Sequence, residues 1–191
     1  MYAIRPTDAL VVVDPQNDFL PGGALPVGEG ERIFEPVGRV MPLFAHVFAT
    51  RDWHPPHHSS FQAQGGPWPE HCVAGSHGAA FSPLLPLDRI GEIVDKGTDP
   101  NTDGYSGFAG TDLAARLRAR GVDRIFICGL ATDYCVKETA IAAAGHGFAT
   151  VVLTDAIAAV NAQPADEAAA LQAMETAGAR FATSADLHAA A

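Results

Sequence analysis

Residues 9–13, Ala-Leu-Val-Val-Val, form an uninterrupted apolar and largely β-branched run that stops abruptly at Asp14-Pro15. A strand exposed on one face alternates polar and apolar residues, so an unbroken run of this kind marks a strand covered on both faces. Similar short runs recur at residues 47–50, 92–95, 125–128 and 150–153, with a weaker one at 180–183. Between them lie helix-like stretches at 31–45 (interrupted by Pro36 and Pro42), 111–120, 132–145 and 165–177. Gly121, Gly147 and Gly178 follow three of these closely, where a helix C-terminus favours glycine. Strands alternating with helices require crossover connections, which predicts an α/β fold. The expected architecture is three-layer α/β/α, with a mainly parallel, doubly wound sheet.

The segment from Trp53 to Leu87 is different in kind. It is rich in Pro, Gly, His and Ser and holds no sustained period. A connection of that length inside a compact domain usually carries function. No internal repeat or linker divides the chain, so residues 1–191 are expected to form one domain, with Ala189-Ala190-Ala191 as a frayed tail.

Composition narrows the function classes. Nearly half of the 191 residues are apolar and 18% are charged, enough for a sizeable core. With 12 basic against 22 acidic residues the net charge is −10, which repels phosphate backbones and anionic lipid and argues against nucleic acid or membrane as a partner. Three cysteines, Cys72, Cys128 and Cys135, do not make a disulfide framework. The N-terminus lacks the apolar core and cleavage site of a signal peptide, and no apolar run reaches the length of a membrane span. A cytoplasmic setting is expected.

In an open α/β sheet, ligands sit beyond the carboxyl ends of the strands. There the chain places Asp14 after the first run, Asp52 after the second, Lys96 after the third, and Cys135 in the first turn of a helix after the fourth. Thr132 is the expected N-cap of that helix, which would set the thiol where the helix terminus favours thiolate. A lone cysteine is more often a small buried apolar residue. Beside Asp14 and Lys96, however, it completes a nucleophile, a base and a cation able to orient that base. Asp52, His54 and His71 bring one carboxylate and two imidazoles, a donor set suited to zinc, iron or manganese. His57, His58 and His77 are expected mostly on the surface, Cys72 as packing and Cys128 in the core.

An ordered set of motifs then carries a resemblance: VVVDPQNDF at 11–19, PGGALPV, RDWHP, GGPWPEHC, DKG around Lys96, DGYSGF, and GLATDYCV at 129–136. The chain resembles the nicotinamidases, also called pyrazinamidases, among the isochorismatase-like cysteine hydrolases, over nearly its whole length. The resemblance implies hydrolysis of nicotinamide to nicotinate and ammonia through a cysteine thioester, in NAD salvage. It implies a catalytic triad of Asp14, Lys96 and Cys135, and metal ligands Asp52, His54 and His71, with zinc foremost and iron or manganese as alternatives. Phe19 and Trp68 match the aromatic walls for the ring, with Tyr105 and Tyr134 near the pocket. Backbone N–H groups of Ala131 and Cys135 would form the oxyanion hole beside a cis Leu130–Ala131 peptide. A fourth metal position varies among relatives, and Ser60, His58 or water are the alternatives here. Family members occur as monomers and as larger assemblies, which leaves a homo-oligomer open. Sister amidohydrolases acting on N-carbamoylsarcosine, ureidoacrylate or maleamate share the triad but have no evident use for a metal anchor. Isochorismatase needs no thiol, and an inert scaffold would be expected to have lost the nucleophile or its base.

Overall fold

The computed structural model describes residues 1–190. Its strands are β1 (Tyr2–Ile4), β2 (Asp8–Val13), β3 (His46–Asp52), β4 (Glu92–Lys96), β5 (Arg124–Leu130), β6 (Ala149–Ala158), β7 (Arg180–Ala182) and β8 (Leu187–Ala189). The α-helices are α1 (Phe34–Val40), α2 (Leu113–Ala119), α3 (Lys137–Gly145) and α4 (Asp166–Thr176). Six strands form one parallel sheet in the order β4-β3-β2-β5-β6-β7. The chain starts in the middle of this sheet, builds outward to one edge, then returns and builds to the other. That reversal leaves a crevice between the ends of β2 and β5, the switch point at which such sheets bind ligands.

Strand periodicity sorts the core into two layers. Leu10, Val12, Phe126 and Cys128 point to one face and pack with Val37 and Val40 of α1. Ala9, Val11, Val13, Ile125 and Ile127 point to the other, against Leu113 and Leu117 of α2, Ala140 and Ala143 of α3 and Met174 of α4. All six residues of β2 are buried, as expected of a strand covered on both faces. The alanines of α3 let it lie close to the sheet, and burying the larger side chains of each layer contributes roughly 1.5–3 kcal/mol apiece.

Several local expectations need correction. The 31–45 stretch is not one helix but a 3-10 turn at Gly30–Ile33, then α1, then a 3-10 turn at Met41–Leu43. Pro42 has no N–H to continue the ladder, which ends α1 just before it. β6 runs ten residues rather than four, because Thr154 and Asp155, which break the apolar run, are satisfied within the fold. Thr154 Oγ1 donates to the Ala182 carbonyl, and Asp155 accepts hydrogen bonds from Ser184. Ala189 is not frayed: β1 and β8 pair as a small separate sheet, with Ile4 opposite Ala189. Ala191 lies outside the described residues.

Two glycines are required by close approach near the switch point. Gly129 has φ +118°, and a Cβ there would meet the Val13 carbonyl oxygen at 2.1 Å. Gly97, just past β4, has φ +60°, and a Cβ would meet the His54 ring at 2.4 Å. Both positions exclude other residues without local rearrangement.

Candidate active site

β2, β3 and β4 end side by side, with Asp52 paired to Lys96 in the strand register. Asp14 follows β2 with a left-handed backbone, φ +48°, which turns the chain out of the sheet. Its amide N–H donates to the Thr50 carbonyl at 3.2 Å, and its Oδ1 accepts a 2.6 Å hydrogen bond from the Thr50 hydroxyl. Its other oxygen, Oδ2, lies 2.8 Å from Lys96 Nζ. Lys96 is fully buried and also donates to Asp52 Oδ1 at 2.6 Å, to the Gly104 carbonyl at 3.2 Å and to Cys135 Sγ at 3.4 Å. The carboxylates of Asp14 and Asp52 and the Cys135 sulfur all approach one another within 4.8 Å. The structure therefore brings Asp14, Lys96 and Cys135 to one point.

Electrostatics follow from this dry cluster. Burial alone would lower the Lys96 pKa, but Asp14 and Asp52 outweigh it and hold the ammonium well above its ordinary value. Burial pushes the Cys135 thiol well up, and the two carboxylates add to this against the opposing pull of Lys96. Burial likewise raises Asp14, opposed by Lys96. Burial thus disfavours the thiolate at Cys135, whose sulfur lies within 4.8 Å of the Asp14 carboxyl.

Cys135 sits in a short π-helical turn, Thr132–Val136, that runs directly into α3. Thr132 is not the N-cap. The Ala131 carbonyl accepts from the Val136 N–H, so the turn begins one residue earlier, and Thr132 lies inside it with its hydroxyl buried and unpartnered. The Leu130–Ala131 peptide is cis.

Asp52, His54 and His71 form a second cluster, all buried, with ligand atoms within 4.8 Å of one another. His54 Nδ1 bonds the Gly97 carbonyl and His71 Nδ1 the Pro69 carbonyl, each at 2.8 Å. Those bonds fix the tautomers and leave both Nε2 lone pairs free. His54 Nε2 lies 3.6 Å from Asp52 Oδ2, the oxygen that Lys96 does not use. Burial lowers the His71 pKa, favouring the neutral imidazole that binds metal. One carboxylate and two imidazoles converging on one point suit a divalent ion with open positions. His58 is buried rather than on the surface, stacked on His54 with ring centroids 4.0 Å apart. Its Nδ1 pairs with the Ser60 hydroxyl at 2.7 Å. His57 and His77 are exposed, Cys72 is buried packing and Cys128 is core.

Between the clusters opens a cavity of about 390 Å³, mouth included. Phe19, Trp68, Tyr105 and Tyr134 line it, with Asp52, His71, Ala131 and Cys135 at its base. Trp68 is held by a 2.9 Å hydrogen bond from its indole N–H to the Tyr105 hydroxyl and by edge contact with Tyr134. Leu25, Val27 and Val160 complete the wall; the first two lie inside the PGGALPV motif, and nothing in the sequence setting of Val160 marks it. Sequence reasoning also missed Thr50 and Gln16. Gln16 pairs its side-chain amide with both the N–H and the carbonyl of Asp52, each at 2.8 Å, and so fixes that carboxylate's backbone. Both lie inside or beside the quoted motifs, but a threonine or glutamine there has many ordinary readings.

Comparison with known proteins places the chain in a family. The isochorismatase domain model matches residues 8–186. A curated nicotinamidase of Escherichia coli is 39% identical, over 95% of this chain and 97% of its own. Pyrazinamidase of Pyrococcus horikoshii, solved in complex with zinc, is 48% identical with a TM-score of 0.85, over 93% of this chain and 99% of that one. PnC1 from L. infantum, solved in complex with nicotinate, is 39% identical with a TM-score of 0.94, over 99% of both chains. With the domain match spanning nearly every described residue and these identities sustained along the chain, the protein belongs to the isochorismatase family, among its nicotinamidases.

Proposed function

We propose that this protein hydrolyses nicotinamide, and equally pyrazinamide, to the carboxylic acid and ammonia through a thioester on Cys135. The observation that carries the reading is the contact of Cys135 Sγ with Lys96 Nζ at 3.4 Å, at the base of an aromatic cavity that also reaches Asp52 and His71. The relatives named above act on or bind this chemistry.

The aromatic walls suit a flat ring, with Phe19 and Trp68 closing on its faces and excluding bulkier amides. Asp52, His54 and His71 would hold a divalent ion, zinc foremost, which when bound supplies a Lewis-acid seat for the ring nitrogen. With the ring held, the carboxamide carbon lies over the sulfur. Asp14 takes the thiol proton and the thiolate forms a bond to that carbon. The carbonyl oxygen gains the electron pair and is stabilised by the backbone N–H groups of Ala131 and Cys135. Collapse breaks the C–N bond, and Asp14 returns the proton to the leaving nitrogen, which departs as ammonia. Water then adds to the thioester while Asp14 takes its proton. The second collapse breaks the C–S bond and releases the acid, and Asp14 gives its proton back to the sulfur, which restores the thiol. Lys96 keeps Asp14 oriented and offsets its charge throughout.

The three buried free thiols suit a reducing cytoplasm, and release of nicotinate suits NAD salvage. Among the described residues, no helix is long and apolar enough to cross a membrane.

The test is ammonia release from a panel of nicotinamide, pyrazinamide, N-carbamoylsarcosine and maleamate. Turnover of the two heteroaromatic amides alone is expected. Turnover of the acyclic amides instead would move the protein to the sister amidohydrolases.

A further inference from the structure

Asp133 is buried two residues before Cys135, in the same π-helical turn, yet its side chain takes no part in the triad or the metal cluster. Both its oxygens are used elsewhere. They accept hydrogen bonds from the backbone N–H groups of Val160 at 2.9 Å and Asn161 at 2.8 Å, just past β6. Val160 lines the same cavity as the aromatic residues and Cys135. Asn161 has a left-handed backbone, φ +51°, and its side-chain oxygen accepts from the Glu167 N–H in the first turn of α4. The chain leaving β6 is therefore bent at Asn161 and fastened at Asp133 before it enters α4.

Two consecutive backbone N–H groups at a cavity edge need partners, and a carboxylate satisfies both with charge-assisted bonds. The tie also has a geometric result. Asp133, Tyr134 and Cys135 belong to one helical turn, so the Val160 wall and the sulfur are held as one body. We infer that Asp133 is a positioning residue that determines ring specificity, by fixing Val160 at a set distance from the reacting carboxamide. This rests on the reading of the site as a nicotinamide hydrolase.

The experiment measures kcat/KM for nicotinamide and for each monomethylated nicotinamide, in the metal-loaded wild type and three variants. In Asp133→Asn the NH₂ half of the amide meets an N–H donor, so one of the two bonds is lost. Val160→Ala widens the wall directly. Asn161→Gly keeps the left-handed backbone and removes only the contact to α4. One methyl group against an apolar wall is discriminated by roughly tenfold or more. Asp133→Asn and Val160→Ala should therefore both lower the preference for nicotinamide over the same methylated ring by about tenfold. Asn161→Gly should leave that preference within about twofold of wild type. An unchanged preference in Asp133→Asn overturns the inference. So does an unchanged preference in Val160→Ala, which needs no Asp133 variant to fold, or an equal loss in Asn161→Gly, which would assign the effect to general loosening. Wild type that leaves nicotinamide intact defeats the underlying reading instead, and does so before any variant is compared.

Discussion

Asp52 reaches Lys96 through one carboxylate oxygen, at 2.6 Å, and turns the other toward His54 at 3.6 Å. One side chain thus joins the Asp14–Lys96–Cys135 cluster to the His54–His71 cluster. Burial would raise its pKa, but the Lys96 ammonium opposes this most strongly, and the carboxyl lies below the ordinary carboxylate range.

Lys96 is a buried ammonium between two buried carboxylates, so Lys96→Met should be costly in stability as well as activity. Removing one partner of a buried ion pair typically costs about 3–5 kcal/mol, because the charge left behind has no solvent. Denaturant unfolding at neutral pH should show a loss of that order, and ammonia release should fall below detection. A variant as stable as wild type would mean that water or a neighbouring group replaces the ammonium.

Cys135→Ala should separate chemistry from structure. The sulfur is small and its turn is held by backbone bonds and by Asp133, so fold and zinc content should match wild type. Turnover should be unmeasurable, since no other group in the cavity is placed to form the thioester. Mass spectrometry of wild type mixed with substrate and quenched should find the acyl adduct on Cys135 and none on Cys72 or Cys128, which are buried in packing. Residual turnover above about 1% of wild type would point to another nucleophile.

Thr50 is a milder test of the base. Its hydroxyl fixes one oxygen of Asp14, leaving the other toward Lys96. A hydrogen bond to a charged group is worth about 1.5–3 kcal/mol, so Thr50→Val should lower kcat/KM by roughly tenfold or more, with fold retained. Thr50→Ser keeps the donor and should recover most of that loss. If Thr50→Ser loses as much as Thr50→Val, the hydroxyl alone does not orient the base.

How much of this was legible in the sequence depended on distance. The ends of β2, β3 and β4 could be read because a buried parallel strand is an apolar run, and the first polar residue past it faces the ligand edge. Asp14 follows from that alone, while Asp52 and Lys96 lie one or two residues past their runs, behind Arg51 and Asp95. Thr50, Gln16 and Asp133 did not, because their roles come from partners 27 to 36 residues away, and each has ordinary local uses as turn, strand or surface residue. Thr132 misled because a cap depends on a one-residue register at the helix start, which a change from α to π winding shifts. β1 and β8 have three residues each, too few to show a period. Leu25, Val27 and Val160 read as ordinary apolar residues, and only folding shows which apolar residue faces a cavity.

Metal removal gives a readout independent of chemistry. Chelated protein should keep its fold, since Asp52, His54 and His71 are each held by backbone or by Gln16 and Lys96. Affinity for nicotinate, measured by titration calorimetry, should fall by at least about tenfold, because the ring loses the group that anchors its nitrogen. Adding back zinc should restore it, while benzoate, which has no ring nitrogen, should bind the two forms alike. Equal weakening for benzoate would mean that chelation disturbs the cavity itself.

At the opposite end of the sheet, Asp8 makes stability depend on pH in a predictable direction. It is buried at the start of β2 and accepts from Arg124 Nη2 at 2.5 Å, Arg5 Nη2 at 2.8 Å and the Arg5 backbone at 2.7 Å. Burial would raise its pKa, but Arg124 and Arg5 outweigh this and hold it below its ordinary value. A carboxylate whose pKa is lower in the folded than in the unfolded chain stabilises the fold fully above the unfolded value, near 3.9, and loses that contribution as pH falls through the folded value. Wild type should therefore exceed Asp8→Asn by about 2 kcal/mol at pH 7, a margin that denaturant titrations should find shrinking below about pH 4. A margin that stays constant into strong acid would mean that the asparagine costs stability through shape, and that the two arginines contribute little through charge.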